Sequence, residues 1–261
     1  LQFRKLLEYS DIISHAYSLG IDKNYRTARA NKEKLTIEEY DNAIKDYKTL
    51  CDAIGADYGN LVKTYQTHSD NVKIVNNKIL ENSPDFNLEK YKETDGLITN
   101  KQNIVLATTN ADCILLLFFD PVKKVIANVH SGWRGTLQKI SVEAVRKMEE
   151  EYGCKPEDII CCICPSIRKC HFEVREDVQK PYYSEFKELP NIDYIIAKIP
   201  DTDKWTIDTV EINKIILEKE GLKKENIIDS GICSVCNSDL VHSYRAEKQG
   251  YGLNTALIEL R

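Results

Sequence analysis

The sequence predicts a mixed α/β fold, because short apolar runs and longer amphipathic stretches follow one another along its 261 residues. Ile114 to Phe119 and Val125 to Val129 are short, continuous apolar runs, which is typical of buried strands. Between Tyr40 and Ile54, apolar residues instead recur at helical spacing, behind a capping box formed by Thr36 and Glu39. Together the two patterns indicate strands that pack against helices.

The remaining elements are predicted in chain order from the same signals. The polar segments at 22–34, which includes Arg26, and at 76–92 are interpreted as solvated loops. We find no repeat, linker or low-complexity tract, so residues 1–261 are expected to form a single domain. Strands are expected at 12–19, 61–65, 71–75, 97–99, 104–108, 114–119, 125–129, 159–164, 194–199, 205–207, 227–232 and 253–260, and helices at 36–54, from Thr136 to near Gly153, at 173–183 and at 210–220.

Composition excludes several classes of function. The net charge is −5, which argues against a general nucleic-acid binder. No apolar run approaches the roughly 20 residues that a membrane-spanning helix needs. Residues 1–10 are charged and lack the apolar core of a secretory signal. We therefore expect a cytoplasmic monomer whose nine cysteines are reduced, with neither nucleic acid nor membrane as a partner.

The two central apolar runs are predicted to pair as a hairpin with reactive residues at its open end. Asp120-Pro121 between them is a turn signal. Cys113 precedes the first strand and His130 follows the second, so pairing would make the two residues neighbours. A thiol beside an imidazole is either part of a metal site or a nucleophile with its base, and the pattern leaves both open.

A glycine-rich segment follows His130 and is predicted to bind an anion. Gly132, Arg134 and Gly135 lead into the helix expected near Thr136. Glycines let the backbone approach a ligand closely, a helix N-terminus favours negative charge, and arginine offers several donors to phosphate. The alternative is a tight turn with a surface arginine. Because the features converge beside Cys113 and His130, we favour a site.

The predicted metal ligands are His68, Cys113 and His130, which all sit at strand ends among small or polar residues. Two imidazoles and one thiolate bind zinc and leave a fourth position open. Copper is conceivable there, but five histidines are too few for several copper centres. Two other groups carry donors for a structural zinc ion, namely the Cys233-x-x-Cys236 pair and the set Cys161, Cys162, Cys164 and Cys170 with His171. Neither is favoured, because only one C-x-x-C pair occurs and the first three cysteines lie in an apolar strand.

Several short motifs occur along the chain beside the candidate site residues. They are Gln66-Thr67-His68, Thr94-Asp95-Gly96-Leu97-Ile98-Thr99, Ala111-Asp112-Cys113, His130-Ser131-Gly132-Trp133-Arg134-Gly135, Ile163-Cys164-Pro165-Ser166-Ile167 with Phe172-Glu173-Val174, and Ser243-Tyr244-Arg245. Together these motifs resemble the YfiH family, often labelled polyphenol oxidase or laccase-domain proteins. The resemblance spans roughly residues 12 to 261, and at its start Ser18-Leu19-Gly20-Ile21 stands where the family usually has an arginine and a Gly-Gly turn.

The resemblance implies an α/β/β/α sandwich with zinc on His68, Cys113 and His130. It also implies phosphorolysis of adenosine, inosine, guanosine or methylthioadenosine, together with deamination of adenosine. We expect Gly132, Arg134 and Gly135 to bind phosphate, and Tyr244 and Arg245 to line the pocket. Asp112 is a candidate proton carrier by position, although packing is its favoured role. The alternatives are a metal-free Cys-His hydrolase or deamidase, a copper-dependent polyphenol oxidase and a non-enzymatic nucleoside-binding module.

Overall fold

A computed structural model describes residues 1–27, 35–76 and 91–261, so parts of the two predicted polar loops lie outside the described residues. Thirteen strands lie within the described ranges. They are β1 (Ile13–Tyr17), β2 (Leu61–Lys63), β3 (Val72–Ile74), β4 (Gly96–Thr99), β5 (Val105–Asn110), β6 (Ile114–Asp120), β7 (Val125–Ser131), β8 (Ile160–Ile163), β9 (Glu173–Val174), β10 (Ile196–Lys198), β11 (Trp205–Ile207), β12 (Ile227–Asp229) and β13 (Asn254–Leu260).

Eight α-helices accompany these strands in the same ranges. The capping box predicted at Thr36 and Glu39 is present, and Asp208 caps a later helix by accepting a hydrogen bond from the Glu211 N–H. Within the described ranges, no helix has the length and apolar character that crossing a membrane would require. The helices are α1 (Arg4–Leu7), α2 (Ile37–Ala53), α3 (Trp133–Leu137), α4 (Ile140–Tyr152), α5 (Glu176–Phe186), α6 (Ile192–Ile195), α7 (Thr209–Lys219) and α8 (Tyr244–Glu247).

Two large sheets pack face to face between layers of helices. The six-stranded sheet has the order β12-β8-β6-β7-β4-β3 and the four-stranded sheet the order β1-β13-β5-β2. Leu117 of β6 and Leu106 of β5 belong to one apolar core between the sheets. Tyr47 of α2 covers the outer face of the four-stranded sheet, and Met148 of α4 and Leu217 of α7 cover the outer face of the six-stranded sheet. The predicted α/β/β/α sandwich is confirmed; the single-domain organisation stays a prediction.

The central hairpin has the predicted pairing. β6 and β7 are antiparallel, with Ile114 opposite Ser131 at one end and Asp120 opposite Val125 at the other. The Asp120 carboxylate accepts the backbone N–H groups of Val122 and Lys123, at 2.8 and 2.9 Å, and so closes the turn. The start of β6 and the end of β7 therefore meet at one edge of the large sheet.

Several helices differ from the prediction. The helix expected from Thr136 begins at Trp133 and is interrupted at Lys139, whose φ of 60° is incompatible with a continuous helix. The helix expected at 173 starts three residues later, because Glu173–Val174 pairs with β11. Tyr194 is helical rather than extended, and Tyr244 opens a short helix capped by the Ser243 hydroxyl. At Glu173 and at Ser243, strand pairing and a helix cap respectively outweigh the local sequence pattern.

A buried amide joins the two sheets at the centre of the sandwich. Asn128 of β7 has no exposed surface, and its amide nitrogen donates to the carbonyl oxygens of Leu106 and Ala256 at 2.9 and 2.8 Å. Its amide oxygen accepts the Thr108 hydroxyl at 2.5 Å. All three partners belong to the four-stranded sheet, so Asn128 sets how the sheets align as well as satisfying its own polar atoms.

Replacing Asn128 is expected to destabilise the fold. Asn128→Leu removes the partners of one buried hydroxyl and two buried carbonyl groups, so the free energy of unfolding should fall by about 3 kcal/mol. Chemical denaturation of both proteins measures this loss. Asn42→Leu, at an exposed position of α2, is the matched control and should change stability by less than about 0.5 kcal/mol. A loss of similar size in both variants would contradict the bridging role.

A buried lysine at the end of β2 makes stability depend on pH. Lys63 is 6% exposed, donates to the Thr27 hydroxyl and lies 5.3 Å from the centre of the Tyr47 ring. Burial lowers the pKa of Lys63 to about 7. The unfolded chain keeps a pKa near 10.4, so above pH 7 it binds a proton that the folded protein does not. The contribution of Lys63 to the free energy of unfolding therefore rises with pH above pH 7.

Lys63→Met should remove that rise. Between pH 7 and pH 9 the Lys63 contribution to the free energy of unfolding is expected to increase by about 2 kcal/mol in the wild type. Chemical denaturation across this range should therefore give a flatter profile for Lys63→Met than for the wild type. Lys73→Met, at an exposed position of β3, should keep the wild-type slope. Parallel profiles for all three proteins would contradict a neutral Lys63.

Candidate functional site

His68, Cys113 and His130 converge at the open end of the β6–β7 hairpin. The Cys113 Sγ lies 3.7 Å from the His68 Nε2, and the two imidazole rings are edge to face with their centres 5.0 Å apart. One ligand atom from each of the three residues lies within 4.8 Å of the others. His130 is buried, whereas His68 and Cys113 are half-buried, so the cluster opens to one side.

The carboxylate of Asp95 organises this cluster from behind. Asp95 is fully buried immediately before β4, and its Oδ1 lies 2.7 Å from the His130 Nδ1. The same carboxylate accepts the backbone N–H groups of Thr67, His68 and Ser69 at 3.2, 3.1 and 2.8 Å. One side chain thus fixes the His130 ring and the loop that carries His68, whose φ of 62° is held in the left-handed region.

The protonation states of the thiol and imidazole are coupled. Burial raises the pKa of Cys113, but the positive charge of His130 and hydrogen bonds from both histidines outweigh it and lower the pKa. Burial lowers the pKa of His130, but the Cys113 thiolate and the Asp95 carboxylate outweigh it and raise the pKa. The pair therefore favours a thiolate beside an imidazolium, and the thiolate is the form that binds metals and acts as a nucleophile.

A cavity of about 670 Å³ lies over the open side of the cluster. Its volume suits a small organic ligand. Tyr244 and Tyr251 form its aromatic rim, in edge-to-face contact with their centres 5.0 Å apart. The basic side chains of Arg26, Lys63 and Arg245 also line it. The cavity therefore offers aromatic faces and positive charge within one space beside the thiolate.

The structure divides the predicted binding residues into two groups. Tyr244 and Arg245 line the cavity, as expected. Arg134 is exposed, its guanidinium lies 4.3 Å from the centre of its neighbour Trp133, and it is absent from the cavity lining in the described part of the chain. Gly132 and Gly135 are buried, where they allow close packing. The assignment of these residues to phosphate and substrate stays a prediction.

Gly132 is needed because His68 packs directly on it. A Cβ added to Gly132 would lie 2.4 Å from the His68 Cδ2, far inside van der Waals contact. A Cβ at Gly135 would lie 3.2 Å from the Ser69 carbonyl oxygen, in the loop that carries His68. The glycines that suggested an anion site are explained by the close approach of this loop to α3.

Asp112 is a packing residue rather than an open acid. Its Oδ1 accepts the hydroxyl groups of Ser234 and Ser243, both at 2.6 Å, and its Oδ2 accepts the Arg245 N–H at 2.7 Å. Both oxygens are therefore occupied by donors from distant segments. The favoured sequence interpretation of Asp112 agrees with this geometry.

The sequence interpretation missed Asp95, Lys63 and Arg26. Asp95 entered the sequence interpretation only as a member of the Thr94–Thr99 motif, with no role of its own. Arg26 was assigned to a solvated loop, whereas its guanidinium donates to the Tyr251 carbonyl at 2.9 Å and stacks over that ring at 4.4 Å. Lys63 gave no signal, because a single lysine in a short strand pattern is indistinguishable from an exposed one.

The residues of the cluster fit a zinc ion by their chemistry. A thiolate and two imidazoles are ligands that zinc accepts, and three protein ligands leave a position for water or substrate. The His130 Nδ1 is committed to Asp95, which leaves Nε2 for a metal and reproduces the carboxylate–histidine pairing common behind metal ligands.

Gly132→Ala tests whether the close approach of His68 matters for metal binding. The new methyl group must displace the His68 ring, so metal affinity should fall about 10-fold or more. After dialysis against a weak chelator, elemental analysis should find one zinc ion per chain fewer than in the wild type. Gly59→Ala, whose Cβ would meet only the flexible Asp57 side chain, should retain the wild-type content. Equal zinc in both variants would contradict the steric argument.

The family model for multi-copper polyphenol oxidoreductase laccase matches residues 23–261. Purine nucleoside phosphorylase YlmD of Bacillus subtilis (strain 168) is 30% identical over 224 residues, covering 84% of this chain and 78% of the relative. Adenosine deaminase RL5, from an unknown prokaryotic organism, is 30% identical over 197 residues, covering 76% and 74%. The human purine nucleoside phosphorylase LACC1 is 26% identical, and this chain spans about half (53%) of its length.

Solved structures share the fold. Bacillus licheniformis hypothetical protein YfiH superposes with a TM-score of 0.82 at 24% identity, covering 95% of this chain and 93% of that one. YlmD from Geobacillus stearothermophilus gives 0.81 at 20% identity, covering 95% and 92%. The family match over most of the chain and the similarity to YlmD agree with the motifs, and the chain belongs to the multi-copper polyphenol oxidoreductase laccase family, which includes the YfiH-type proteins.

Proposed function

We propose that this chain is a zinc-dependent purine nucleoside phosphorylase that also deaminates adenosine. The observation that carries the proposal is the thiolate–imidazole cluster of His68, Cys113 and His130, which opens into a cavity lined by aromatic rings and cations. Relatives named purine nucleoside phosphorylase and adenosine deaminase support both activities. Adenosine, inosine, guanosine and methylthioadenosine are the substrates we propose.

The cavity walls supply binding for each part of the substrates. Tyr244 and Tyr251 offer ring faces on which a purine base can stack, and Phe172 adds apolar surface. Arg245 and Arg26 offer guanidinium donors for phosphate. Lys63 lies further inside, and its lowered pKa lets it act as a cation or as a neutral donor near neutral pH. We assign phosphate to these cations in addition to the Arg134 predicted from sequence.

The cluster residues hold the reacting centre. His68, Cys113 and His130 would hold zinc, which when bound supplies a Lewis acid and an activated water. Asp95 keeps the His130 Nδ1 protonated and its ring oriented, so that Nε2 faces Cys113. In deamination water replaces the amino group of adenosine and ammonia leaves, and in phosphorolysis phosphate takes the ribose while the base leaves.

The first experiment measures adenine released from adenosine by the zinc-loaded protein, with and without phosphate. We expect release that depends on phosphate and that falls by at least about 100-fold in His68→Ala, because that variant loses one of the three ligands. Inosine, followed in the same samples, reports deamination. His15→Gln is the matched control: His15 is buried away from the cavity, accepts the Phe3 N–H, and should leave both activities intact.

The outcomes separate the two activities. Inosine without adenine would restrict the function to deamination. Neither product from any of the four nucleosides would reject the nucleoside hypothesis, and binding of nucleosides without turnover would support a non-enzymatic module. Phenol oxidation is also measured on copper-loaded and zinc-loaded protein. If only the copper form oxidises phenols while the zinc form acts on nucleosides, phenol oxidation is a side reaction of this protein.

A metal-free cysteine hydrolase is the second candidate. The Cys113 thiolate contacts the His130 imidazole, and the Asp95 carboxylate orients that imidazole from its other side. Complete metal removal distinguishes it from the zinc enzyme. Activity that survives chelation and is then abolished by alkylation of Cys113 would favour the hydrolase. Activity that is lost on chelation and restored by zinc would reject it.

A further inference from the structure

Four further metal-ligand side chains meet beside the cavity, outside the cluster described above. Cys170 and His171 follow β8, and Cys233 and Cys236 follow β12. One ligand atom from each lies within 4.8 Å of all the others. Cys233 is buried, His171 is half-buried, and Cys170 and Cys236 are exposed residues. We call these four residues the Cys3His cluster.

The separations match the edges of a zinc tetrahedron. Ligands about 2.3 Å (sulfur) and about 2.0–2.1 Å (nitrogen) from zinc, at tetrahedral angles, lie about 3.8 Å apart for two sulfurs and about 3.6 Å for sulfur and nitrogen. The Cys170 Sγ is 3.6 Å from the Cys233 Sγ and 3.9 Å from the Cys236 Sγ. The His171 Nδ1 is 3.2, 3.7 and 3.5 Å from the sulfurs of Cys170, Cys233 and Cys236.

The backbone presents these side chains without further rearrangement. The N–H groups of Cys236 and Arg168 donate to the Cys233 sulfur, which orients it toward the cluster. Cys233 also forms an isolated β-bridge with Ser166, and the Ser234 N–H donates to the Ser166 carbonyl at 3.0 Å. The two segments are therefore joined by main-chain hydrogen bonds next to the cluster.

A disulfide explains the arrangement less well. All nine cysteines lie in the described residues and none is paired, and the sulfur separations of 3.6 and 3.9 Å are nearly twice an S–S bond of about 2.0 Å. A disulfide would leave the third cysteine and His171 without a role. Three thiolates and one imidazole are instead a complete ligand set for zinc, and a soft set that magnesium or calcium would not select.

We propose that the Cys3His cluster is a second, structural zinc site. All four positions are filled by protein ligands, so it has no open position for substrate. Binding releases protons from the thiols and joins two segments that are far apart in the chain. The site is separate from the His68 cluster, and the proposal does not depend on the function of that cluster.

The second zinc would support the floor of the cavity. The segment that carries Cys170 is tied to Asp112 through the Ile167 N–H, at 2.8 Å, and the segment that carries Cys233 through the Ser234 hydroxyl, at 2.6 Å. Arg245 of the cavity lining donates to the His171 carbonyl at 2.7 Å. Asp112 immediately precedes Cys113, so the zinc would hold the segments that surround the reactive thiol.

The test is a count of zinc ions in the purified 261-residue chain, kept reduced, by elemental analysis. We expect two per chain in the wild type, one in His68→Ala, one in Cys233→Ser/Cys236→Ser and none when the changes are combined. Cys154→Ala is the matched control, because Cys154 is a buried thiol of the core, and it should keep both ions.

A measurement on His68→Ala alone keeps the proposal testable if the double cysteine variant does not fold. In that variant the remaining site should take up cobalt with the strong charge-transfer absorption of a sulfur-rich tetrahedral site, and X-ray absorption of the zinc form should give three sulfurs and one nitrogen. A His68→Ala protein without metal, or with a Cys170 disulfide found by mass spectrometry in reduced preparations, would overturn the proposal.

Discussion

The buried carboxylate of Asp95 is the contact on which the site depends. Burial raises the pKa of Asp95, but hydrogen bonds from His130 and Ser69 more than offset it and hold the pKa below its usual value. An ionised carboxylate in the interior is costly unless it is paired and hydrogen-bonded, and here the pairing comes from the residues it positions. The ring of His130 and the loop of His68 are thus held by the same charge.

The sheet places that carboxylate where it can act. β4 pairs with β7, with Gly96 opposite Val129, so the residues just beyond that pair, Asp95 and His130, are adjacent. The His130 N–H donates to the Asp95 carbonyl at 2.6 Å, which extends the ladder to the residues of the site. The hairpin of β6 and β7 supplies Cys113 at the same edge. Strand register therefore places Asp95, His130 and Cys113 at one edge of the sheet, and only the His68 loop needs a separate anchor.

The sequence predicted the parts of this arrangement that are local. Two apolar runs and a proline turn predict the β6–β7 hairpin. The hairpin alone predicts that Cys113 lies beside His130, whatever the rest of the fold is. Asp95 was missed because its partner strand is distant in the chain, so no nearby pattern reports the pairing. A zinc cluster at these cysteines was considered but not favoured, because its two halves are far apart in the chain and are joined by the β8–β12 pairing. The role of Arg134 stays a prediction, because its side chain is exposed and does not line the cavity in the described part of the chain.

The backbone next to Cys113 is strained and is held in place by tertiary contacts. Asp112 has a φ of 87°, a conformation that a residue with a side chain rarely adopts, and it is held by donors from Ser234, Ser243 and Arg245. These donors come from segments that pack only in the folded protein. The cost of the strained residue is therefore met by tertiary contacts, and Cys113 faces the histidines before any ligand arrives. Because Cys113 and the two histidines are already positioned, ordering them costs little free energy when a ligand binds.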